Sequence, residues 1–134
     1  MTEARRVFEE GLRHDGKNSR FSFGLAQTAL YLGRAEEFLG HKDAAEYWRD
    51  TAIVDAQNAI GLSERSPDAH ALLAELYGAK VSGMFSAMRY GPKADAETQR
   101  AFQLDPNNSR AFAVVGAQVL LFTKLPRRRS RQVN

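Results

Sequence analysis

"ADAETQRAFQLDPNNSRAFAVVGAQV", residues 94–119, reads as two helices joined by a tight turn. Ala94 and Ala101 are two helical turns apart, so they share a face small enough for another helix to approach closely. Asp105 and Pro106 stop the first helix, and Ser109 is a residue type that caps the next. Phe112, Val115, Gly116 and Val119 then return at three- and four-residue steps, the period of a helix face. The turn has a near copy at the other end of the chain: "DGKNSR", residues 15–20, beside "DPNNSR", residues 105–110. The likeness extends outward in both directions. Ala4, Gly11 and Leu12 match Ala94, Ala101 and Phe102, while Leu25, Ala26 and Ala29 match Val115, Gly116 and Val119. Self-similarity of this kind marks a stacked helical repeat.

Working outward from the two turns predicts six helices and no strand. Residues 2–14 place Ala4, Val7, Phe8, Gly11 and Leu12 at helical spacing, with Asp15-Gly16 as punctuation. A second helix opens at Ser19 and closes at Gly40, and a third runs from an Asp43 cap to Leu62, with Ala45, Trp48, Ala52, Ala56 and Ala59 on one face. A fourth is expected from Asp68 to Tyr90, with "GPK", residues 91–93, as the break before a short fifth over 94–104. The sixth follows Ser109. Phe38, Tyr47 and Trp48 are expected to form the aromatic core of the first full hairpin, and Met84, Phe85 and Met88 to fill the core further on.

These residues bring the chain to a known pattern. Ala94, Ala101, Leu104 and Asp105-Pro106, followed by Phe112, Val115-Gly116 and Val119, resemble the junction between two tetratricopeptide repeats. The resemblance is to degenerate repeats with lengthened helices. It implies an all-α fold of antiparallel helix pairs stacked into a right-handed superhelix of about six helices, with a concave groove for a protein or peptide partner. In that family partners meet the inner face of the first helix of each pair. Carried over by register, this puts Arg20, Phe23, Gln27, Leu30 and Tyr31 in the groove, with Leu73, Tyr77 and Lys80 from the middle pair and Arg110, Ala113, Ala117 and Leu120 from the last helix. A mixture of basic, aromatic and amide side chains suits a partner with acidic or aromatic side chains. The lysine and asparagine clamp that some members use for C-terminal carboxylates does not occur at these positions.

Composition narrows the function classes. The chain of 134 residues suits one helical domain, 1–125, followed by a disordered basic tail, 126–134. With 43% hydrophobic and 26% charged residues it has ordinary globular usage. It has no cysteine, so disulfides and thiolate chemistry are excluded. Four of its 19 basic side chains are Arg127, Arg128, Arg129 and Arg131; setting them aside leaves 15 basic against 16 acidic. Nucleic acid is therefore disfavoured as a partner of the body, and any pull on nucleic acid or an anionic membrane belongs to the tail.

No catalytic or metal residues and no cofactor are assigned. The chain has no phosphate-binding glycine loop and no nucleophile elbow. His14 and His41 are expected at solvent-facing ends or turns and His70 on a helix surface, none with a metal-ligand partner. The expectation is a non-enzymatic interaction module. No apolar run is long enough to span a bilayer, and the start lacks a leader core, so the chain is expected to be cytoplasmic, or periplasmic or secreted had a leader been removed. The last helix is apolar nearly all round, and both ends of the array are half-units. Its expected cover is a homo-oligomer partner, a domain-swapped segment, or residues beyond this sequence.

Overall fold

The computed structural model describes residues 2–124, with side chains from residue 3 to residue 120; the expected tail at 126–134 and the side chains of Leu121 and Phe122 lie outside the described residues. The chain is all-helical: α1 (Thr2–His14), α2 (Ser19–Phe38), α3 (Lys42–Leu62), α4 (Pro67–Ala79), α5 (Met84–Leu104) and α6 (Ser109–Lys124). Each helix packs on the next in chain order, and α4 also meets both α2 and α6.

The turn that the sequence writes twice is built three times. The amides of Asp15, Ser63 and Asp105 close the preceding helices on the carbonyls of Gly11, Ala59 and Ala101 at 2.8, 2.9 and 2.9 Å. Three residues on, the amides of Asn18, Ser66 and Asn108 bond back to the carbonyls of Asp15, Ser63 and Asp105. Those same three residues cap the helices that follow. Asn18 Oδ1 accepts from the Arg20 amide at 3.1 Å, Ser66 Oγ from Ala69 at 3.2 Å, and Asn108 Oδ1 from Ala111 at 2.8 Å. The caps are therefore Asn18 and Asn108, not the serines that follow them, because the side chain one residue earlier already reaches the free amides. Asp43 likewise lies in the first turn of α3 while His41 occupies the cap position, with no side-chain bond.

The core is narrow because most of its helix contacts are alanine. Ala26, Ala29 and Leu30 of α2, Ala52 and Ala56 of α3, Leu72, Leu73, Leu76 and Tyr77 of α4, and Ala94 of α5 form one buried cluster. Ala71, Ala101 and Ala111 form a second where α4, α5 and α6 meet. Phe38 (90% exposed) and Tyr47 (62%) stand outside this core, contrary to the sequence reading, since an alanine seam between α2 and α3 leaves no room for their rings. Trp48 remains half-buried, edge-on to Tyr47, with the Arg5 guanidinium over its ring at 5.3 Å.

The fourth helix ends sooner than its apolar pattern suggests. α4 stops at Ala79, Lys80–Gly83 form a loop, and α5 runs through Gly91 and Pro92 without a break. Ser86 Oγ fixes the new start, accepting from the amides of Ser82 and Gly83 at 2.7 and 2.9 Å. Lys80 anchors the loop: its ammonium joins Glu46 and, at 2.7 Å, Asp50 of α3. Pro92 is tolerated because Gly91 has no Cβ to clash with the proline ring, and because Pro92 lies on an exposed face. Met84, Phe85 and Met88 consequently begin α5 beyond the end of α4 and are 76%, 86% and 70% exposed rather than core.

Candidate functional site

Cap register decides which side chains of α2, α4 and α6 line their shared inner face. Arg20, Asp68 and Arg110 each stand two residues after a cap, and Gln27, Glu75 and Ala117 stand nine after. At one end of the face, Arg20 and Phe23 of α2 border a shallow pocket of about 190 Å³ with Ser66, Asp68 and Ala69 of the next pair. At the other, Arg34, Glu75, Gly78, Val114 and Ala117 border a second of about 170 Å³.

Between the pockets runs a polar ladder. Glu75 of α4 pairs with Arg34 of α2 through one carboxylate oxygen and with Arg110 of α6 through the other, at 3.3 Å. The Arg110 guanidinium lies 5.7 Å from the Phe23 ring centre, and that of Arg34 lies 5.8 Å from the Tyr31 ring centre. A carboxylate bridging two guanidiniums, each beside an aromatic ring, thus links α2, α4 and α6. Asp68 accepts a 2.7 Å hydrogen bond from Asn108 Nδ2, which ties α4 to the start of α6. Arg20 is exposed and has no ion pair among the described residues.

Of the residues assigned to the groove from sequence, Arg20, Phe23, Tyr31, Arg110 and Ala117 fall on this face. Gln27 is half-buried at the position equivalent to Glu75, and Ala113 is exposed on α6. Leu120 is also exposed on α6. Four assignments require correction. Leu30 and Leu73 are buried in the core, at 4% and 3% exposed. Tyr77 points toward α3 and α5: its hydroxyl accepts from Gln57 at 3.1 Å, and its ring stacks on Tyr90. Lys80, bound to Glu46 and Asp50 of α3, faces the same way. Counting from Ser66 gives Asp68, Glu75 and Gly78 on the inner face of α4, with Leu73 and Tyr77 on its buried side, while Leu30, at the position of Gly78, is drawn into the core cluster. Glu75 and Arg34 are the residues that sequence reasoning missed, and the cap at Ser66 is the signal that finds Glu75.

Two further polar groups lie away from this face. His70, expected on the surface, is buried: Nδ1 is 2.6 Å from Glu97 of α5, and Nε2 is 2.9 Å from the carbonyl of Glu64. It fastens α4 to α5 and to the turn before α4. Asp55 of α3 meets Arg5 of α1 at 3.3 Å. Burial pushes the Asp55 carboxyl above its ordinary value, against the pull of the Arg5 guanidinium. Lys80 shows the opposite balance: burial pulls its ammonium down, but Asp50 and Glu46 raise it above the usual lysine range. Among the described residues no group of histidines and carboxylates is placed to hold a metal ion, and no helix is long and apolar enough to cross a membrane. Comparison with protein-family models, curated proteins and solved structures finds no match to this chain.

Proposed function

We propose that this chain is a non-enzymatic, tetratricopeptide-like interaction module that binds a protein or peptide along the inner faces of α2, α4 and α6. In this reading the helix pairs follow the right-handed course of that family, and the partner lies across the first helices. The observation that supports it is the ladder of Phe23, Arg110, Glu75, Arg34 and Tyr31, which joins three helices between two shallow pockets. Arginine and tyrosine are the side chains that most often dominate binding energy at interfaces. Arg20, Arg34 and Arg110 outnumber Glu75 and Asp68 on this face, so the favoured partner segment carries acidic or aromatic side chains.

The test is selection of peptides from a random library on the folded chain, followed by titration against wild type and an Arg20→Ala/Tyr31→Ala double variant. Selected peptides enriched in acidic residues, losing about tenfold or more in affinity for the variant, or about 1.4 kcal/mol, are expected. Equal binding to both proteins would remove this face from consideration.

A further inference from the structure

The three caps place α2, α4 and α6 in one register, which allows the same position to be compared in each. Ser22, His70 and Phe112 are equivalent, as are Ala26, Ala74 and Gly116, and Ala29, Tyr77 and Val119. In α2 and α4 all of these positions are buried. His70 meets Glu97 of α5 and Tyr77 meets Tyr90 of α5, while Ala26 and Ala29 share a core cluster with Ala52 and Ala56 of α3. In α6 the same face is uncovered among the described residues. Phe112 is 57% and Val119 56% exposed, although the edge of Phe112 reaches Phe102, and a Cβ built on Gly116 would meet nothing within 4 Å. Among the described residues, no helix covers this face of α6 as α3 covers α2 and α5 covers α4.

α1 is the converse. Counted from the shared closing bond to Asp15, Ser63 and Asp105, residues Ala4, Ala52 and Ala94 are equivalent, as are Gly11, Ala59 and Ala101. The four alanines of α3 and α5 are 0–1% exposed because a first-type helix lies on either side of them. Ala4 and Gly11 are only half-buried, since among the described residues α1 has a first-type helix, α2, on one side only. Val7 holds the place of Glu97 and is 54% exposed. The polar pair His70–Glu97 that joins α4 to α5 thus has the apolar pair Phe112 and Val7 at the matching positions of α6 and α1.

We infer that α1 of a second copy docks on the bare face of α6, in the place that α5 takes on α4, so that copies associate head to tail. The contact continues the packing surfaces already present within the chain and sets Val7 of one copy against Phe112 of the next, with Val119 two turns further along α6 toward the start of the docked α1. Because the two surfaces differ, it is a heterologous contact that each added copy can repeat. It uses neither Arg20 nor Tyr31, so the groove and this junction fail independently.

Sedimentation of the 134-residue chain over a concentration series, with Val7→Glu and Val119→Glu variants, tests it. Wild type is expected to grow past two copies as concentration rises. Each variant alone stays at the mass of one chain, and their equimolar mixture forms a two-chain species and nothing larger, since it retains one intact α6 face and one intact α1 face. Both positions are more than half exposed, so helical circular dichroism is expected to be unchanged; Val7→Lys and Val119→Lys provide a second pair should either glutamate disturb folding. A wild type that stays at one chain at the highest concentration overturns the inference. So does a Val7→Glu variant that assembles like wild type, as in a symmetric α6–α6 contact, or a mixture that remains single chains while wild type assembles.

Discussion

At the scale of single residues, the clearest energetic signature is a carboxylate held where it is poorly solvated. Asp55 lies between α3 and Arg5 with 15% of its side chain exposed, and burial raises it above the ordinary aspartate value of 3.8 despite the guanidinium. The folded protein therefore retains this proton to a higher pH than the unfolded chain. Over the interval between those two values the native state binds more protons, so this residue makes stability fall as pH rises. Asp55→Asn is expected to flatten that part of the profile, measured as urea midpoints across acidic pH; an unchanged slope would show that Asp55 does not titrate in this way. Arg5 itself was legible only as one charge on an amphipathic helix. Its bonds to Asp55 and to the Leu25 carbonyl, 50 and 20 residues away, follow from how α1 crosses α2.

At the scale of helices, α1 and α2 are locked by two rings on two glycines. A Cβ on Gly24 would lie 2.5 Å from the Phe8 ring, and one on Gly11 would lie 2.5 Å from the Phe21 ring. Alanine at Gly24 gains roughly 1 kcal/mol of helix propensity but forces overpacking that costs about 1–3 kcal/mol. The expected outcome is a lower melting temperature for Gly24→Ala, restored by adding Phe8→Leu; a more stable single variant would mean that the ring moves aside freely. The glycines and aromatic residues stand at helical spacing in the sequence, but their pairing does not. Helix ends show the same division. Asn18, Ser66 and Asn108 are good capping residues in plain view, whereas the end of α4 at Ala79 carries no proline and no strong local stop. It is set by Lys80 reaching Glu46 and Asp50 and by Ser86 closing on Ser82 and Gly83. Gly91-Pro92, the strongest breaker in the sequence, breaks nothing.

At the scale of the whole molecule, stability rests on few large side chains. Leu72 and Leu76 of α4 are the largest that are fully buried, while the seams on either side are alanine. Leu72→Ala is expected to lower the free energy of unfolding by about 2–5 kcal/mol in a denaturant titration, since rigid helices cannot close over the lost volume; a loss under about 1 kcal/mol would mean that the pairs slide to fill it. The sequence by itself determined the helical class, the six elements and the turns that begin and end the array, because periodicity, capping residues and turn chemistry act over a few neighbouring residues. The family resemblance assigned Arg20, Phe23, Tyr31, Arg110 and Ala117 to one groove, and these five share a face of α2 and α6. Only the tertiary structure decided where α4 stops, that Leu30, Leu73 and Tyr77 serve the core, that Glu75 bridges Arg34 and Arg110, and that among the described residues α6 and α1 present uncovered faces of opposite kind. Each of these depends on which distant side chain, or none, occupies the facing surface, and no local pattern in the chain encodes that.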